Sequence, residues 1–484
     1  MIRRLIVPAI AILVVILGVT AGALYWFLTG DASRQALERQ AGAWLGHPVR
    51  IGSLSATLYP RVSLRLRDVR AGDPVRVTLA EVDLSAALRP LLSRRIEDAT
   101  VTVADSRIDL PLPFSLPVTA PGGSPLSIRS IALRNVVLAS RGREIQVSAD
   151  ASLAGTRLAI TRFSASTGKT AIDASGTVEL SPRIDATIKA RAPDLLDADD
   201  LIAVAGAFVT PGSAPASPPP RITAEIEAPY GSITGVPIRR IAATLRADGN
   251  QVSIEPLSFS VFGGRQNGWV DVSFGDRLEM RLGLGVSNID VAELATLAGA
   301  AGAITGRLNG SVRFGAAAPD LTNALGSLRG AGEVVISNGT MRGLDLVGTV
   351  VRFLGRAPLA RPAGGTPFER IAGNFALSDG RVRSDDLTLH SADFDIFVRG
   401  TLRLDTDMLD GRAQVVLSEA LSAQPGRDLF RYARTGTRIV LPGTVGGTLE
   451  EPRIGFDTAA AARQAIGNEI QRRLSDLLDV LRAQ

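Results

Sequence analysis

The stretch Asp385–Asp407, DDLTLHSADFDIFVRGTLRLDTD, decides the fold. From Phe394 the chain alternates. Phe394, Ile396, Val398, Leu402 and Leu404 fall on one side, and Asp395, Arg399, Thr401, Arg403 and Asp405 on the other. Period two marks a strand with one dry face and one wet face. The same shape recurs at IDASGTVEL (172–180), GRQNGWVDV (264–272) and, more weakly, GRLNGSVRF (306–314). Each copy is an apolar strand, a glycine, then a second alternating run, so Gly176, Gly268, Gly310 and Gly400 take equivalent places. A glycine inside a strand marks a bend, a bulge or a close approach. The spacing between copies varies, which predicts a meandering array of strands and not a solenoid of fixed period.

The rest of the chain agrees with a mainly β protein. Its 484 residues suffice for a sizeable core, and 45% apolar with 21% charged residues excludes a disordered chain. Strand-like runs follow one another at VRIGSLSATL, RVSLRLRDVRAG, VRVTLAEVDLS and ATVTVADSRIDL, with a short helix expected at AALRPLLSR. DASRQALERQAGAWL (31–45) reads as a helix, with Leu37, Ala41 and Trp44 on one stripe and Gly46 as its C-terminal cap. A second helix is expected at DVAELATLA. A third, amphipathic one closes the chain at 458–484, with Ile466, Ile470, Leu474, Leu477, Leu478 and Leu481 on one stripe. The proline-rich stretches 111–125 and 210–221 read as loops or linkers.

Leu5–Leu28 is a run of 24 residues without charge, which as a helix spans ~36 Å, enough to cross a bilayer. Arg3 and Arg4 precede it, Asp31 is the first charge after it, and Tyr25, Trp26 and Phe27 stand where outer headgroups are expected. The positive-inside rule then puts the N-terminus in the cytoplasm and the bulk outside. The rival reading is a cleaved signal peptide ending at Ala21–Ala23, but the apolar run continues past Ala23. On either reading the bulk is extracytoplasmic, which argues against nucleic acid as a partner. The pI near 10.1 comes almost wholly from arginines that alternate along strands, as on solvated strand faces.

The chemistry of catalysis is nearly absent from the sequence. There is no cysteine, hence no thiol nucleophile and no cysteine-ligated zinc. His47 sits in a Gly-His-Pro turn and His390 in a strand, without metal-ligand spacing. STGKT (166–170) lacks the first glycine of a phosphate-binding loop, Phe163 standing in its place, and a strand follows it where a helix is needed. DTDMLDG (405–411) is a hairpin turn by composition, its glycine one place late for a calcium loop. The expectation is a protein that is not an enzyme and holds no cofactor and no metal.

Three stretches resemble the AsmA family of inner-membrane-anchored periplasmic proteins of Gram-negative bacteria. They are WLGHPVRIGSLSATLYPRVSLRLRDVRAGDP (44–74), the segment 336–418, and LPGTVGGTLEEPRIGFD (441–457), while about 110–330 matches in texture only. The resemblance implies an elongated, twisted antiparallel sheet forming a groove or super-roll, with short flanking helices. It divides the chain into an anchor (1–30), an AsmA-like helix plus β segment (31–112), a β-rich middle (113–330), an AsmA-like β segment (331–457) and the C-terminal helix (458–484). Longer relatives are linked to phospholipid transport between membranes, and shorter ones to outer-membrane assembly and lipid homeostasis.

Two functions follow as expectations. In the first, the chain, held in the inner membrane through residues 5–28, binds phospholipid acyl chains in an apolar groove. Hydrating one sixteen-carbon tail costs on the order of 12 kcal/mol at ~0.8 kcal/mol per methylene, so a carrier needs a continuous apolar trough. The candidate lining is Phe394, Ile396, Val398, Leu402 and Leu404, with Val62, Leu64 and Leu66 nearer the membrane. In the second, the dry faces close on each other and the protein is a scaffold for outer-membrane or envelope assembly proteins.

Overall fold

The computed structural model describes residues 31–57, 62–86, 96–112, 126–208, 218–319, 321–342, 365–423, 434–435, 437–448 and 451–456. The expected anchor, the helix at AALRPLLSR beyond Ala86, most of both linkers and the C-terminal helix lie outside these residues. Among the described residues no helix is long and apolar enough to cross a membrane. The protein is mainly β, with few and short helices. Its residues form two units: one made of the described residues up to Ser258 with Val270–Leu278 and 319–321, the other of Phe259–Trp269, Glu279–Ala318 and the described residues from 322 onward.

The first unit starts with helix α1 (Asp31–Leu45), as its periodicity predicts. Strands β1 (Val49–Thr57), β2 (Val62–Ala71), β3 (Val77–Ala86), β4 (Ile96–Ala104), β5 (Arg107–Leu110), β6 (Leu126–Ser140), β7 (Arg143–Ala154), β8 (Arg157–Thr167), β9 (Thr170–Glu179), β10 (Asp185–Arg191) and β11 (Leu195–Asp197) follow. Helix α2 (Ala198–Phe208), β12 (Arg221–Ile233) and β13 (Val236–Asp248) come next. Ala41 and Leu45 of α1 join one buried cluster with Ile51, Leu64, Leu66, Val82 and Val101. The sheet is not purely antiparallel, as expected, but mixed. β4 and β5 run parallel to β6, and β10 and β11 parallel to β12. A parallel pair needs a crossover, and α2 lies in the second of these connections.

Strands β14 (Gln251–Val261), β15 (Gly264–Phe274) and β16 (Leu278–Asp290) lead on. In the second unit, helix α3 (Val291–Leu297) is capped by Asp290, whose carboxylate accepts from Ala292 N at 2.9 Å. Then come β17 (Arg307–Ala318), α4 (Leu321–Gly326), β18 (Arg329–Met341), β19 (Thr366–Ser378), β20 (Arg381–His390), β21 (Phe394–Arg403), β22 (Leu409–Leu417), α5 (Glu419–Ala423), β23 (Arg434–Thr435), β24 (Arg438–Gly447) and β25 (Pro452–Phe456). Pairing from β17 to β22 follows chain order and is antiparallel throughout, and β24 then joins β22 to β25.

One device recurs that strict alternation does not anticipate. Along β2 the buried residues step from Leu66 to Val69, three positions instead of two, and Asp68 between them is left-handed at φ 53°. The step is shared by the neighbours, from Ile51 to a half-buried Leu54 on β1 and from Leu79 to Val82 on β3. Register does not change across it, since Ile51 faces Val69 and Ser53 faces Arg67. Asp105, Asn135, Arg240, Asn288 and Asn338 carry the same positive φ elsewhere. Asp and Asn tolerate this conformation best among residues with a side chain.

Candidate functional site

The dry face of the second unit is built in rows of directly opposed residues. One row runs Ile336, Ile371, Leu389, Ile396, Val415, Leu441 across β18 to β22 and β24. From Ile371 to Leu441 every member is buried, with Ile396 at 2% exposure, and Phe394 and Leu417 join the same cluster. A second row, six residues further along β21, runs Phe314, Gly330, Leu377, Val382, Leu402, Leu409 across β17 to β22. Every member of this row is only half-buried, while its chain neighbours Arg313, Ala331, Ala376, Arg381, Arg403 and Asp410 are exposed. Five interstrand steps of ~4.8 Å give the row a span of ~24 Å. One face is thus shut at one end of its strands and half-open at the other.

Between the rows the strands approach closely. Gly400 faces Gly411, and a Cβ at Gly400 would stand 2.7 Å from the Asp410 carbonyl oxygen. On its other side Gly400 opposes Ser384, next to a bulge formed by Asp385 and Asp386. Asp386 is held there by Asn374, whose backbone N–H donates to it at 2.8 Å and whose side chain donates at 2.6 Å.

The sequence candidates divide as follows. Phe394 and Ile396 lie in the buried cluster, and Val398 and Leu402 are half-buried. Leu404 falls beyond the end of β21, in the turn, and is 50% exposed. Leu64 and Leu66 belong to the first unit's core beneath α1, opposite Leu84 and Val82. Val62 pairs with Ala86 at the start of β2. STGKT is a two-residue hairpin turn, with Lys169 N donating to Asp200 at 2.6 Å, and DTDMLDG is the turn from β21 to β22. Among the described residues no group of His, Asp or Glu is placed to hold a metal.

His390 belongs to a charged ladder on the wet face. Its Nδ1 pairs with Asp395, its Nε2 lies 3.6 Å from Glu369, and Arg438 Nη2 donates to Asp395 at 2.7 Å. Arg438 also donates to the Leu417 carbonyl at 2.7 Å, tying the ladder to the closed end of the sheet. Burial pushes the Asp395 carboxyl up, but the bonds from His390 and Arg438 outweigh it and hold it below its usual range. A carboxylate depressed by folding stabilises above its unfolded pKa of about 3.9, and that contribution is lost as pH falls through the folded value. The melting temperature of Asp395→Asn should therefore lie below wild type at pH 5, and the gap should narrow below about pH 4. A constant gap from pH 5 to pH 3 would show that the charge is irrelevant.

Residues 222–387 match the AsmA family model. The AsmA match runs from β12 into β20. It takes in much of the middle, which resembles the family in texture only, and the first part of the 336–418 segment. It stops short of β21 and does not reach 44–74 or 441–457. No curated protein and no solved structure matches the chain.

Proposed function

We propose that the chain binds phospholipid acyl chains along the half-open row of its second unit, acting by binding and not by catalysis. In this reading it is held at the inner membrane by residues 5–28, its bulk lies in the periplasm, and it contributes to phospholipid transport or outer-membrane lipid homeostasis. The AsmA match is consistent with such an envelope role. The observation that carries the reading is the row Phe314 to Leu409, apolar across six strands yet covered by none of them. A contiguous apolar surface left half-exposed marks a place for a ligand or partner. Its ~24 Å exceeds the ~15 Å depth of one bilayer leaflet's hydrocarbon, so a single tail can lie along it.

A photoreactive residue placed in the full chain tests this. At position 402 it should crosslink to phospholipid in cells; at position 399, three residues back along the same strand and on the exposed wet face, it should not. Crosslinks from 402 to protein alone would favour the scaffold reading, and lipid adducts at both positions would mean that the face makes no distinction.

A further inference from the structure

The first unit carries an apolar face of its own, two rows wide. One row of directly opposed residues runs from Ile131 on β6 through Ile160, Gly176 and Ile188 to Leu245 on β13. The next, two places along β9, runs from Leu133 through Phe163, Ala174 and Ala190 to Ala243. Each row crosses β6 to β10, β12 and β13, and every member of both is apolar and only half-buried. Their chain neighbours Ser175, Thr187, Lys189 and Glu225 are exposed on the opposite face. The band is bounded. Two places along the strands to one side, Leu158, Val178, Ala186 and Ile222 are buried. Two places to the other side, Val147, Ala228 and Ile241 are buried at the flanks, with Ala165 and Ile172 half-buried between them. Six interstrand steps of ~4.8 Å make each row ~29 Å long, and a two-residue step sets the rows ~6.8 Å apart.

We infer that this band is a second lipid site and takes both tails of one two-tailed lipid, one tail to each row. This rests on the acyl-lipid reading above and adds to it a place and a preference. The chemistry of the band selects hydrocarbon. Neither row holds a charge or a hydrogen-bonding side chain. A peptide segment laid across it would strand backbone N–H and C=O groups without partners, whereas an acyl chain has none to strand. Each row is longer than the ~15 Å depth of one leaflet's hydrocarbon, so one row already holds one tail. The second row beside it is surplus to a single-tailed ligand and matched to a double-tailed one.

The test places a photoreactive residue at position 188 or 174 of the full chain, purified in a mild non-ionic detergent. The probes are diacyl and monoacyl phosphatidylcholine of equal chain length, with adducts read by mass spectrometry. Lipid adducts should form from both positions and not from 175, which lies on the opposite, exposed face. From 188 the diacyl probe should react at a concentration at least about tenfold lower than the monoacyl probe, a factor that two additional buried methylenes suffice to give. Ala174→Trp fills the second row and should abolish that advantage at 188 while leaving an adduct. Ala190→Trp, one strand over in the same row, should do the same, and far-UV circular dichroism melts check that each variant folds. Equal reactivity of the two probes without either tryptophan, or an advantage that survives both, overturns the inference. So do adducts from 174 to the chain's own 111–125 or 210–221, which would make a linker the cover. Lipid adducts at 402 with none at 174 or 188 overturn it and leave the acyl-lipid reading standing. Adducts at none of the three overturn both.

Discussion

Ile396→Asp is expected to unfold the second unit, whereas Leu402→Asp, six residues along the same face of the same strand, is not. Ile396 is opposed by Leu389 on one side and Val415 on the other, all three buried. A carboxylate there loses its water and finds no cation, and the lost apolar burial adds to the penalty. A cost of at least about 4 kcal/mol is expected, comparable with the whole stability of many domains. Leu402 is half-buried, so an aspartate there keeps part of its hydration and should cost below about 1.5 kcal/mol. Urea unfolding of the full-length variants, followed by far-UV circular dichroism and limited proteolysis, reads the difference. Equal destabilisation by both would mean that the face is closed along its whole length, and the acyl-lipid reading would go with it.

Gly400→Val should be nearly as damaging, for a steric reason. A Cβ at Gly400 meets the Asp410 carbonyl oxygen at 2.7 Å and the Gly411 Cα at 2.9 Å. Both are backbone atoms of the paired strand, so no side-chain rotation relieves the contact and β21 must part from β22. Alanine should cost about 2 kcal/mol, within the usual range for overpacking, and valine more. Gly206→Ala is the control. It lies in α2 with nothing within 4 Å of its Cβ, so the substitution should be neutral or stabilise by up to about 1 kcal/mol. If Gly400→Val melts with wild type, the close approach of the two strands is not what holds glycine there.

The alternation of 394–404 placed β21 almost to the residue, and the glycine echo located real close approaches. A Cβ at Gly176, Gly268 or Gly310 would run into the carbonyl oxygen of Thr187, Gly283 or Glu333 on the neighbouring strand. Period two says which face is dry but not what covers it. Ile396 and Leu402 are therefore indistinguishable in sequence, and only long-range packing separates core from half-open face. The parallel pairs were hidden for a similar reason, because strand direction depends on the connection and not on the strand. Helix α2 was missed because ADDLIAVAGAF is apolar nearly all round and follows a strand directly. The three-residue steps did leave a trace: in LRLRDVRA the apolar residues go from Leu64 and Leu66 to Val69, with an aspartate in the gap.

The three-residue steps bear on a hazard peculiar to chains made of look-alike hairpins. With strict alternation, a strand that slides two places past its neighbour keeps every oily side chain on the correct side, so patterning alone barely opposes the error. A left-handed Asp68 matched to a shared jog in β1 and β3 works as a key in a keyway. Slide the strand and the jogs no longer coincide, leaving a short stretch in which neighbours present opposite faces. The same notch that bends the alternation thereby gives β1, β2 and β3 a single seat against one another.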